Sequence, residues 1–216
     1  MPGWRGWKGT HAASRFLVPR KMARIGRVKR VTKETSIDVT VALDGATGGT
    51  VRSPVAFLNH MLGLLSAHGG FRLDVRARGD VEVDDHHLVE DLGISLGQAF
   101  SKALGNRSGI RRYGLAVVPM DEALVQVALD LSGRAHLSYG LNPGARKIKD
   151  FDVALVEEFL LGLVRSVPCT LHVTQAAGRN PHHVVEAAFK ALGRALGQAA
   201  ERDLVFRGIP STKGIL

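Results

Sequence analysis

Cysteine is almost missing from this 216-residue chain, with Cys169 the single example. One cysteine cannot close an intramolecular disulfide, which points to a reducing compartment, the cytoplasm. There is no run of about 18 apolar residues, so no membrane span is expected. The N-terminus lacks the apolar stretch of a secretory signal. Acidic residues are absent from residues 1–22, which carry Arg5, Lys8, Arg15, Arg20 and Lys21. The net charge of +9 suggests nucleic acid, yet removing those five charges leaves +4. The basic character is therefore largely a property of the tail, and no nucleic-acid partner is expected. The tail holds both tryptophans, Trp4 and Trp7, and has no apolar periodicity. A targeting peptide shares this composition. The simpler reading is a disordered stretch, or a start assigned too early, with the ordered chain beginning near Met22.

What remains is ordinary, with 45% hydrophobic and 23% charged residues. Global disorder is excluded, and one domain or two small fused ones can bury a core. Ile25–Val31 and Ile37–Leu43 alternate like strands, and Asp44–Thr50 reads as a loop. Ser53-Pro54 predicts a helix to about Ala67, with serine as cap and proline in the first turn. Phe71–Arg78 reads as a strand and His86–Leu104 as a helix. A similar order follows. Leu115–Pro119, Glu122–Leu131, Ala135–Tyr139 and Thr170–Ala176 read as strands, and Asp152–Ser166 and His182–Arg202 as helices.

The halves also share sequence. His86-His87-Leu88-Val89-Glu90 matches His182-His183-Val184-Val185-Glu186, and Leu96-Gly97-Gln98-Ala99 matches Leu196-Gly197-Gln198-Ala199. This is an internal duplication. It predicts an α+β fold of two halves, residues 23–112 and 113–216. Each half would be a sheet with two helices on one face, the helices packed together between the two sheets.

The repeated unit carries the chemistry. Successive helical residues differ by about 100°, so adjacent histidines point to different partners. A glutamate three or four residues on can join either histidine. Each copy therefore offers ligands to two ions. Imidazole and carboxylate without thiolate suit manganese, iron or zinc. One such motif would be a polar helix start, but two at matching places argue for metal. His60 and Glu158 strengthen this, because both are polar choices at corresponding places in paired apolar helices.

Several motifs carry a resemblance. They are Phe57-Leu58-Asn59-His60-Met61-Leu62, Asp84-Asp85-His86-His87-Leu88-Val89-Glu90-Asp91, Met120-Asp121-Glu122-Ala123-Leu124, Asp130-Leu131-Ser132-Gly133-Arg134, Asn180-Pro181-His182-His183 through Lys190, and Ile209-Pro210-Ser211-Thr212-Lys213-Gly214. Together they resemble the imidazoleglycerol-phosphate dehydratases over about residues 23–216. The resemblance implies two four-stranded sheets, in a fold like the second domain of a small-subunit ribosomal protein. It implies a hydro-lyase of histidine biosynthesis with two manganese ions held by His60, His86, His87, Glu90, Glu158, His182, His183 and Glu186. It implies a phosphate grip from Arg112, Arg134, Ser211 and Lys213, with Lys190 nearby and the last two in a C-terminal tail. Glu186 is expected as the base, with His60 in the same catalytic set. Glu34 is expected at the substrate hydroxyls, helping water leave. Trimers building a 24-mer are also implied. This chain departs from relatives at Asn59, where aspartate is commoner, and at Leu64, where glutamine is expected. His68 and His172 read as packing groups or as supports for the ligands. His11 and His136 read as tail and surface residues. A metal-storage or structural assembly protein would share the His/Glu clusters without needing the phosphate grip. A phosphate-ester hydrolase would release phosphate.

Overall fold

Ile25–Val31 (β1) and Thr35–Ala42 (β2) pair antiparallel and turn Val28, Ile37, Val39 and Val41 inward. Thr32 Oγ1 closes their turn by accepting the amides of Glu34 and Thr35, at 3.1 and 2.9 Å, which leaves Glu34 at the tip. The structure is a computed structural model describing residues 23–45 and 47–216. The expectations for the basic tail, including those for its start and for His11, lie outside these residues.

The first sheet is completed by Arg72–Gly79 (β4) and the two-residue strand Val51–Arg52 (β3), in the order β1-β2-β4-β3, with β3 parallel to β4. Between them runs the helix Ala56–Gly69 (α1), stopped by Gly70 in the left-handed region at φ 67°. His86–Leu104 (α2) spans the range read from sequence. In the second half, Tyr113–Met120 (β5), Ala123–Asp130 (β6), Thr170–Ala177 (β10) and His136–Gly140 (β7) make a sheet in the order β5-β6-β10-β7, with β7 parallel to β10. The topology repeats that of the first half. Leu155–Ser166 (α3) and Pro181–Ala200 (α4) are its helices. A small hairpin, Lys147–Ile148 (β8) with Phe151–Asp152 (β9), lies outside both sheets.

Two local expectations shift. The first helix starts at Ala56 behind Val55, and Ser53 does not cap it. Ser53 Oγ instead donates to Asn59 Oδ1 at 2.7 Å and accepts the Val55 amide at 3.2 Å, which holds the approach to the helix. The loop read over residues 44–50 is followed by β3, too short to show a period.

The helices cross between halves. α2 lies on the first sheet and α4 on the second, but α1 packs on α4 and α3 on α2. Glycine permits both crossings. A Cβ on Gly193 would overlap the Leu65 carbonyl oxygen and approach the Gly69 nitrogen. At the twin crossing, Gly97 meets the Leu163 carbonyl oxygen and the Val167 nitrogen in the same way. Leu58, Met61, Leu62 and Leu65 of α1 are buried in the core, and on the opposite face of α4 from Gly193, Val184 lies over the second sheet near Ala123.

Gly193→Ala and Gly97→Ala should each cost about 1–3 kcal/mol, because a methyl group meets backbone that cannot yield without parting two helices. Urea denaturation measures this. A wild-type midpoint for either variant would contradict the close crossing.

Candidate metal centre

Both histidine pairs sit in the first turn of a helix. Asn180 Oδ1 accepts the His182 amide at 3.0 Å, with Pro181 at the first helical position. Asp84 Oδ1 accepts the His86 amide at 2.8 Å. These contacts fix where each ring pair leaves the helix.

The α1–α4 crossing gathers three predicted ligands, His60, His182 and Glu186, with one donor atom of each within 4.8 Å of the others. His60 Nε2 and His182 Nε2 lie 3.3 and 3.1 Å from Glu186 Oε2. Two donors about 2.1 Å from one ion and at right angles to each other would stand about 3 Å apart, so the spacing suits a cation. A nitrogen-and-carboxylate set without sulfur suits manganese, iron or zinc. Glu186 is only 7% exposed. Burial works against its charge, but Lys190 Nζ at 2.6 Å and the two imidazoles prevail, holding its carboxyl below the usual range. Phe57 packs edge-on to the His182 ring at 5.4 Å.

The other predicted ligands are arranged differently. His86 Nε2 stands 3.9 Å from Glu90 Oε2, and Glu158 is on α3, which packs on α2. The second histidine of each pair turns away from these clusters. His87 Nδ1 meets Asp80 at 3.1 Å, with Glu34 3.9 Å away. His183 Nδ1 meets Glu122 Oε2 at 2.7 Å. Asp80 raises the His87 pKa by hydrogen bonding, and Glu122 raises that of His183 in the same way. Glu122, bonded by His183 and by the amides of Asn180 and Arg179, falls to about 2. Glu122 holds in the β5–β6 turn the place that Glu34 holds in the β1–β2 turn. The sequence reading assigned no role to Asp80 or Glu122. The signal lay in the duplication, which aligns the two hairpin turns.

The residues expected at the phosphate lie elsewhere. Arg112 grips Asp130 through two bonds of 2.7 and 3.0 Å and donates to the Pro210 carbonyl at 2.7 Å, drawing the C-terminal tail across it. Ser211 Oγ accepts the Lys213 amide at 3.2 Å, and Gly133, beside Arg134, touches Leu216. Lys190 is not brought to this group within one chain. Arg112 donates its amide to the Ala199 carbonyl, nine residues along α4 and so about 13 Å from Lys190 along the axis. Asn59 faces Ser53 and not the ring of His60. Leu64 packs at the edge of the core. His68 is exposed, its pKa lowered by partial burial and by Lys190 and Arg194. His172 is exposed with His136 on the outer face of the second sheet, their rings 5.6 Å apart. A cleft of 590 Å³ at the far end of the α1–α4 pair is lined by Arg24, His68 and Arg194 and contains none of the three gathered ligands.

A family model described as imidazoleglycerol-phosphate dehydratase matches residues 53–196. The relative from Desulforamulus reducens bearing that name is 53% identical over 193 residues, covering 89% of this chain and 98% of its own. The chain belongs to the imidazoleglycerol-phosphate dehydratase family. Membership makes it a hydro-lyase of histidine biosynthesis. The pea relative, named as chloroplastic, is 50% identical over 194 residues, covering 89% of this chain and 69% of its own. The solved dehydratase of Pyrococcus furiosus superposes with a TM-score of 0.77 at 38% identity, covering 88% of this chain and all of its own. No helix among the described residues is long and apolar enough to cross a membrane.

The His183–Glu122 pair has a definite pH window. The raised imidazole contributes fully below 6.5 and is lost as pH rises through its folded value. The depressed carboxylate contributes above 4.5 and is lost as pH falls toward about 2. The contact is therefore complete between 4.5 and 6.5. Glu122→Gln should lower the His183 pKa toward 6.5, read by NMR titration of the ring. An unmoved value would show that Glu122 does not set it.

Proposed function

We propose that this chain is a manganese-dependent dehydratase converting imidazoleglycerol phosphate into imidazole-acetol phosphate. The observation that carries the reading is the gathering of His60 from one half with His182 and Glu186 from the other. The eight ligands read from sequence would hold two ions, completed as described below.

The reaction is difficult because the hydrogen removed is not flanked by a carbonyl, so no enolate can form. The imidazole ring must accept the electron density. Bound manganese would supply Lewis acidity at a ring nitrogen. Glu186 is held ionised by Lys190 and the two histidines, and so is ready to take the carbon-bound proton. His60, at 3.3 Å, orients that carboxylate and can pass the proton on. Glu34, at its hairpin tip, engages the substrate hydroxyls and assists the loss of one of them as water. The C–H pair becomes the new double bond, hydroxide leaves as water with a proton from the acid, and the enol tautomerises to the ketone.

One chain does not make the whole site. The grip of Arg112, Arg134, Ser211 and Lys213 is anchored at Ala199, thirteen residues along α4 from Glu186, or about 20 Å. A small phosphorylated imidazole does not span that. A second copy must bring its grip to the metals, and His87 and His183, oriented outward by Asp80 and Glu122, would serve a neighbour's ion. An apolar outer face on the second sheet, where Tyr113, Leu115 and Val117 are 60, 57 and 52% exposed, supports self-association. We extend this to trimers forming a 24-mer in the cytoplasm.

The deciding experiment gives purified protein, with added Mn²⁺, imidazoleglycerol phosphate and follows the ketone by absorbance. Glu186→Gln should cut turnover at least a hundredfold with metal still bound, and full turnover would remove Glu186 as base. Release of inorganic phosphate would favour a hydrolase instead. Chelation should shrink the particle on a sizing column, and an unchanged particle would separate assembly from metal.

A further inference from the structure

The two helix crossings are alike in backbone but unlike in donors. Gly193 fixes α4 against Leu65 and Gly69 of α1, and Gly97 fixes α2 against Leu163 and Val167 of α3. His60 lies five residues before Leu65, and Glu158 lies five before Leu163. Glu186 lies seven before Gly193, and Glu90 seven before Gly97. Glu158 therefore has, at the α2–α3 crossing, the place His60 has at the α1–α4 crossing. Gly162, one turn after Glu158, lies against the Glu90 carbonyl, so α3 presents that turn to the ligand-bearing part of α2.

The charges differ as well. Beside Glu186 stands Lys190, with Nζ 2.6 Å from Oε1, whereas the residue at Lys190's place on α2 is Ile94. One crossing therefore combines two imidazoles with a single lysine-neutralised carboxylate. The other places one imidazole, His86, and one carboxylate, Glu90, on α2, with a second carboxylate, Glu158, on the helix that faces it and Ile94 where Lys190 would stand. Asp84 and Asp85 precede His86, whereas Asn180 and Pro181 precede His182. His86 and Glu90 stand 3.9 Å apart, against 3.1 Å for His182 and Glu186.

Resting on the two-metal reading above, we propose that the two ions occupy chemically unequal sites, and that Glu158 makes them so. The His86/Glu90/Glu158 end is rich in oxygen and negative charge and takes hard cations, Mg²⁺ as well as Mn²⁺. The His60/His182/Glu186 end is rich in nitrogen and near neutral, and discriminates against Mg²⁺ in favour of transition ions. Carboxylate suits magnesium and manganese, whereas imidazole suits zinc, iron and nickel.

The test loads the full-length, metal-free protein with Mn²⁺ and titrates in Mg²⁺, following released Mn²⁺ by electron paramagnetic resonance. Wild type should release about half its Mn²⁺ at a Mg²⁺ concentration at least tenfold below that needed for the rest. Glu158→His, which copies the first donor set onto the second crossing, should shift the early phase at least tenfold upward in Mg²⁺, merging it with the second. Release from wild type in one phase overturns the inequality and leaves the two-metal reading standing. An unchanged early phase in Glu158→His removes Glu158 as its cause. Failure of the protein to take up any Mn²⁺ sinks the underlying reading and this proposal with it. The wild-type titration decides the inequality even where the variant folds poorly.

Discussion

The close crossing of helices from opposite halves is the constraint on which the candidate centre depends. Gly193 lets α4 lie against the Leu65 carbonyl, and only at that separation does His60 reach Glu186. A side chain there would push the helices apart, and two imidazoles and a carboxylate would become three separate polar groups. The glycines thus serve the chemistry through the backbone, without touching the donors.

Around that crossing the electrostatics are local. Glu186 is buried, and its charge survives because Lys190 and two ring nitrogens surround it. His87 and His183 are held outward by loop carboxylates, Asp80 and Glu122. This divides each adjacent histidine pair between an inward and an outward partner, as the 100° step of a helix demands. The residues proposed to grip phosphate are built on different elements, the edge of the second sheet and the C-terminal tail, where Asp130 and the Pro210 carbonyl fix Arg112. Under the proposed reading, that separation along one helix would leave a single chain without a complete site.

Much of this was legible in the residues. Alternation in Ile25–Val31 and the span His86–Leu104 read directly as strand and helix, because one face of each is buried and the other is not. The histidine motifs stood out because they occur twice. The start of α1 was misjudged because Ser53 bonds to Asn59 and the Val55 amide instead of capping the helix. β3, β8 and β9 are two residues each and have no periodicity to detect. Asp80 and Glu122 went without a role because a loop carboxylate shows no function until its neighbour is known.

The sequence by itself determined the duplication, the types of donor and the elements that carry them, because those depend on local period and on a motif repeated in register. Only the tertiary structure decided which helix meets which. His60 joins His182 and Glu186 across the halves, while Glu158 falls to the opposite crossing. Partner choice between helices rests on long-range packing of small residues against backbone, and no local pattern along the chain encodes it.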